Sequence, residues 1–194
     1  PSGMFHLPNL EGATWISGDE TDLRAWDEWM DSRPPLSVGF AEARIYFPAG
    51  LDIYPAAKLN KKVGCLMNPR FVEGWFTAEE LAEFSKWEDT YLEIGKYHYA
   101  IPAKTNYPFR PFVEKFFLLK ESNPKGTPEY ECGKVMLNSL YGKTVAGVDN
   151  LISKMKETGN LWNPFYGATI TGHTRAAIAR FIRYQNYSGI VGVA

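Results

Sequence analysis

One run, Lys134-Val135-Met136-Leu137-Asn138-Ser139-Leu140-Tyr141-Gly142-Lys143, constrains the chain more than any other. As a helix it places Lys134, Asn138 and Tyr141 at i, i+4 and i+7, on one face. That face offers a cation, an amide and a ring carrying a hydroxyl. Met136, Leu137 and Leu140 fall on the other sides and are free to pack inward. Gly142 either stops the helix or lets another molecule come close to its backbone. A lysine attracts a polyphosphate, an amide bridges polar groups, and a flat ring packs on a base pair or sugar. The plain alternative is an amphipathic helix with a surface lysine and a terminal glycine.

The segment before this run sets its partner. Phe109, Phe112, Val113, Phe116 and Phe117 recur at helical spacing and lead to Lys120. Ser122 to Pro128 is a polar turn holding two prolines and a glycine. The two helices therefore form an antiparallel hairpin, with Lys120 and Lys134 near the same base.

The rest reads as a mixture of helix and strand. A helix is expected over 19–31, capped by Ser17 or Asp19, with Leu23, Trp26 and Met30 as its apolar stripe. Pro34-Pro35 ends it, and Leu36 to Phe47 reads as a strand. Residues 51–76 read as irregular, with short strands at 51–54 and 71–76. Thr77-Ala78-Glu79-Glu80 is a capping box that opens a helix, and Thr90 to Ile101 alternates as a strand. A short helix is expected over 148–157 and a loop over 160–165. A helix over 168–184 then turns Ile170, Ala177, Ile178 and Phe181 toward a core and Arg175, Arg180 and Arg183 to a basic side. The apolar run 189–194 reads as a buried strand. The fold class is α+β.

Composition narrows the function. Hydrophobic residues make up 45% of the 194, enough for a core. No apolar run approaches the length of a bilayer span, and the N-terminus lacks the basic start and apolar core of a signal peptide. Cys65 and Cys132 have no His or Cys at metal spacing and read as reduced and structural in a cytoplasmic protein. His6, His98 and His173 are isolated from one another. Residues 1–100 carry 16 acids and 9 bases, whereas residues 101–194 carry 6 acids and 12 bases. The second half has the sign that a phosphate-binding surface needs.

The run from Lys134 to Gly142 resembles motif B of family B DNA polymerases, Lys-x-x-x-Asn-Ser-x-Tyr-Gly, with every fixed position matched. Further matches surround it in the family's order. Pro1-Ser2 resembles the tail of motif A, beyond its catalytic aspartate. Phe109 to Lys120 resembles the first fingers helix of the protein-primed subgroup, which ends in a phosphate-binding lysine. Thr171-Gly172-His173-Thr174-Arg175 resembles the Thr-x-x-Gly/Ala-Arg motif that touches the primer-template backbone, with Thr174 where Gly or Ala is usual. The run 189–194 resembles the strand that leads into motif C.

The resemblance implies a partial palm sheet, a helical-hairpin fingers subdomain and a small α+β insertion. In residue ranges these are palm at 1–48, insertion at 49–105, fingers at 106–150 and palm again at 151–194. It implies that Lys120, Lys134, Asn138 and Tyr141 bind nucleotide, and that Ser139, Gly142, Thr171 and Arg175 bind DNA. It implies Mg2+ in the full-length enzyme, held by aspartates of motifs A and C that are incomplete here, so no catalytic or metal-ligating residue is expected in this fragment. The implied partners are primer-template DNA, deoxynucleoside triphosphates and a terminal protein primer, in phage, virus or plasmid replication. A non-catalytic nucleic-acid-binding module, gripping phosphates through scattered Lys and Arg, is the alternative.

Overall fold

A computed structural model describes residue 4 and residues 6–51, 53–56, 58–60, 64–67, 69–145 and 162–188, with backbone alone at 58–60, 65–67 and 186–188. The expected helix at 148–157, the strand at 189–194 and Pro1-Ser2 lie outside these residues. The chain divides into two units. One comprises Pro1–Ala13 and Pro102–Thr171, the other Thr14–Ile101 and Gly172–Ala194.

The second unit is built on an antiparallel sheet. Its strands are β1 (Thr14–Gly18), β2 (Val38–Tyr46), β5 (Phe71–Thr77) and β6 (Tyr91–Ile101), in the order β1-β6-β2-β5. Thus β5 and β6, from the stretch expected to form an insertion, hydrogen-bond to the two sides of β2. Opposite Glu42, β6 carries an extra residue at Gly95–Lys96, a bulge between the pairs Ala41↔Tyr97 and Ala43↔Ile94. A separate two-stranded ribbon joins β3 (Lys58–Asn60) to β4 (Cys65–Met67) where the sequence reads as irregular, and residues 51–54 form no strand among those described.

Helix α1 (Arg24–Ser32) covers the sheet with Trp26 and Trp29, which are buried. Trp29 stacks on Tyr99 at 4.7 Å, and the Tyr97 hydroxyl donates to the Asp22 carbonyl at 2.8 Å. The helix starts later than expected because its two supposed caps are engaged elsewhere. Ser17 sits in β1 against His98 at 2.7 Å. The Asp19 carboxylate accepts from the amide and hydroxyl of Thr21, closing a local turn. Those hydrogen bonds hold the Asp19 carboxyl below its usual range, the hydroxyl being the larger cause. Helix α2 (Ala78–Phe84) begins at the expected capping box, with Thr77 and Glu80 bonded reciprocally.

The first unit holds the hairpin. Helix α3 (Arg110–Glu121) and helix α4 (Pro128–Val145) pack around Val113, Leu137 and Leu140, joined by Met4 and Leu7. Gly142 does not end α4, which runs on through Val145. Beside its backbone is open space. Cys132 is a free, exposed thiol on α4 rather than a packed structural one.

Helix α5 (Pro164–Ser188) passes from one unit to the other between Thr171 and Gly172. It starts earlier than expected because the Asn163 side chain accepts from the Tyr166 amide at 3.1 Å and Pro164 suits a first helical position. Its buried face is also rotated. Gly172, Ala176, Ala179 and Ile182 are buried, whereas Ile178 and Phe181 are each 52% exposed. Small side chains on the docking face let the helix lie close to its neighbour, and its arginines reach glutamates there.

Candidate nucleotide and nucleic-acid interface

The base of the hairpin is set by a glycine. A Cβ on Gly133 would lie 2.7 Å from the Phe116 carbonyl oxygen and 2.9 Å from the Lys120 amide nitrogen. Both are backbone atoms of α3 and cannot swing away. The start of α4 therefore touches the end of α3 at Lys120, and Lys134 is the next residue along. Sequence reasoning singled out both lysines but missed the glycine that brings their helices together. The available signal was a glycine inside a helix, where its conformational entropy is a cost that close packing has to offset.

Each lysine faces an acid on its own helix. The Lys120 ammonium is 2.9 Å from a Glu121 oxygen and lies 5.7 and 5.8 Å from the Phe117 and Tyr130 ring centres. The Glu121 hydrogen bond raises the Lys120 pKa above its ordinary value, so the side chain is fully charged at neutral pH. Lys134 is 3.3 Å from Glu131, with both side chains half exposed. Surface pairs of this sort contribute little to stability.

Along α4 the pattern continues outward. Asn138, Ser139 and Gly142 are exposed, and a Cβ on Gly142 would meet nothing within 4 Å. Tyr141 is half-buried, one side of it packed on the Val113–Leu137–Leu140 cluster. The strip from Lys134 to Gly142 thus presents a cation, an amide, a hydroxyl, part of a ring and bare backbone. Thr171, at the other end of the same unit's sequence, is half-buried, and its hydroxyl donates back to the Gly167 and Ala168 carbonyls at 3.0 Å. It has to turn before it can donate to a phosphate.

Arg175 belongs to the second unit, and there it is bound to α2. Its Nε donates to Glu80 Oε1 at 2.5 Å and its Nη2 to Glu80 Oε2 at 3.1 Å. The neighbouring contacts repeat the theme. Arg33 and, at 4.0 Å, His173 meet Glu79. Arg180, Arg183 and Lys86 all meet Glu83. Burial alone would push Glu83 up, but hydrogen bonds from Arg183 and Arg180, with the charges of Arg183 and Lys86, overcome it and hold the carboxyl below its ordinary value. The docking of α5 depends on Gly172, where any side chain would run into Thr77. Thr77 and Glu80 were legible as a capping box and Gly172 only as a variable position within the Thr171–Arg175 run, but not as one contact.

Among the described residues no group of three His, Cys, Asp or Glu side chains gathers in a way that could hold a metal ion. None of the described helices is long and apolar enough to cross a membrane.

Comparison with known proteins extends these findings. A family model described as "DNA polymerase type B, organellar and viral" matches residues 11–176. A "Probable DNA polymerase" of Neurospora intermedia is 26% identical over 120 residues, covering 59% of this chain and 12% of that protein. The orthorhombic crystal form of Phi29 DNA polymerase matches at a TM-score of 0.59 and 16% identity, over 89% of this chain and 32% of that one. Phi29 DNA polymerase complexed with primer-template DNA and incoming nucleotide substrates matches at a TM-score of 0.57 and 15% identity, over 95% of this chain and 35% of that one. At these identities the structural likeness speaks for the fold alone. The chain spans about an eighth of the curated relative's length and about a third of the solved structures'.

Proposed function

This chain belongs to the organellar and viral type B DNA polymerases, and from that premise we propose that it forms the nucleotide- and primer-template-binding region of a DNA-directed DNA polymerase. The α3–α4 hairpin is its fingers and the β1-β6-β2-β5 sheet part of its palm. The reaction is attack of a primer 3′-hydroxyl on the α-phosphate of a deoxynucleoside triphosphate, with pyrophosphate leaving. Negative charge grows on the leaving group, and fixed cations stabilise it.

The observation that carries this reading is the Gly133 contact, which puts the end of α3 at Lys120 against the start of α4 beside Lys134. Two lysines on touching helices suit a triphosphate better than one. Asn138 then supports the triphosphate end, Tyr141 packs on the nascent base pair, and Ser139 and Gly142 border the DNA. Thr171 and Arg175 hold backbone phosphate, which positions DNA without reading its sequence. Type B polymerases use divalent metal ions; the proposal includes Mg2+ in the whole protein, with ligands other than the described residues. A terminal protein primer is a further proposed partner.

The test is equilibrium binding by this chain. Lys134→Ala and Lys120→Ala should each weaken binding of a fluorescent deoxynucleoside triphosphate about tenfold, the scale of one charge-assisted contact, and change duplex binding much less. If Lys134→Ala weakens duplex binding and leaves nucleotide binding intact, the chain is a nucleic-acid-binding module instead.

A further inference from the structure

Glu80 is a carboxylate only 1% exposed. Such a charge is costly unless it is both paired and hydrogen-bonded. Its oxygens are well supplied. Oε2 accepts from the Thr77 amide and hydroxyl, each at 3.0 Å, and both oxygens accept from the Arg175 fork. The capping box does not require the charge, because glutamine also occurs at that position. What the charge meets is Arg175, 95 residues away in sequence and brought there by the bare backbone of Gly172 against Thr77.

The pairing runs through Nε and Nη2, the side of the guanidinium, and the Arg175 side chain stays 45% exposed. A two-point fork on a buried acceptor fixes the plane and direction of the group. An arginine held this way has less rotamer freedom to lose when it grips an anion.

We propose that Glu80 is the positioning residue for Arg175, holding its guanidinium ready for a backbone phosphate of bound nucleic acid. This rests on the reading of Arg175 as a phosphate contact. Glu80 does not itself touch DNA; it acts through the arginine.

The experiment is a salt series of primer-template binding by the full chain, with Arg175→Gln, Arg175→Lys, Glu80→Gln and the Glu80→Gln/Arg175→Gln pair. Arg175→Gln should weaken binding about tenfold and lower the slope of log affinity against log salt by about 0.9, one phosphate contact. Glu80→Gln keeps the cap and, measured well below its own thermal midpoint, should weaken binding about threefold to tenfold. The double variant should bind no more weakly than Arg175→Gln. Arg175→Lys, which keeps the charge and loses the fork, should bind nearly as weakly as Arg175→Gln, and by binding like the parent it would still overturn the proposal if Glu80→Gln does not fold. The proposal is overturned if Glu80→Gln binds as tightly as the parent or more tightly, if it weakens binding equally without the arginine, or if Arg175→Lys binds like the parent. If Arg175→Gln changes nothing, the phosphate reading of that arginine fails and takes the proposal with it, while nucleotide binding lost in Lys134→Ala still supports the nucleotide site.

Discussion

Gly133 and Gly142 lie on the same helix and meet opposite surroundings. A methyl group at Gly133 would strike the α3 backbone, whereas one at Gly142 would meet nothing. The same substitution should therefore have opposite signs. Gly133→Ala gains helix propensity but overpacks a contact that cannot yield, for a net loss of about 1–2 kcal/mol. Gly142→Ala gains about 0.5–1 kcal/mol from the helix alone. Thermal unfolding should thus fall for the first and rise by a few degrees for the second. If the strip beside Gly142 borders DNA, Gly142→Ala also binds primer-template more weakly although it is more stable. Unchanged affinity in that variant would remove Gly142 from the interface.

Among the elements, those fixed by neighbours in sequence were legible and those fixed by distant partners were not. The hairpin follows from helical spacing on both sides of a proline-glycine turn, and the capping box at Thr77 and Glu80 is a local pattern. The face of α5 could not be read the same way. Hydrophobicity alone pointed Ile178 and Phe181 inward, but the docking is decided by Gly172, Ala176 and Ala179 and by glutamates about a hundred residues earlier. The ribbon β3–β4 was missed because its strands, Lys58-Leu59-Asn60 and Cys65-Leu66-Met67, are too short to show an alternating pattern. Candidate residues on α4 were visible for the same local reasons, whereas Gly133 and Glu80 act through contacts no spacing encodes. Glu83, on α2 with its carboxylate against the α5 arginines, gives this packing a pH signature. Its folded pKa is lowered from a glutamate's ordinary 4.5, so its contribution is fully present above that value and is lost as pH falls through the lowered one. In thermal unfolding from pH 7 to pH 3, Glu83→Gln should melt below the parent chain at neutral pH, and the gap should close in acid. A gap that stays constant would mean the charge of Glu83 does not hold α5.

Across the whole molecule, folding redistributes charge that looks segregated along the chain. The first hundred residues and the remainder differ sharply, at net −7 and +6. Grouped by structural unit, the contrast shrinks. The unit of Pro1–Ala13 and Pro102–Thr171 has nine bases and seven acids, and the other has twelve bases and fifteen acids. The reason is α5, whose Arg175, Arg180 and Arg183 join the acid-rich unit and pair with its glutamates. A basic half of a sequence is therefore a poor measure of a basic surface: Arg180 and Arg183 both meet Glu83, and of the three arginines Arg175 is the one proposed to reach phosphate while paired. This has a consequence in salt. Each phosphate neutralised contributes about 0.9 to the slope of log affinity against log salt on duplex DNA. Arg183, 30% exposed and 3.0 Å from Glu83, should be spent on the fold. Arg183→Gln should then lower the melting temperature and leave the slope of primer-template binding unchanged. A slope that falls by about one unit with no loss of stability would reverse that assignment, making Arg183 a phosphate contact and the linear charge pattern the better guide to the binding surface.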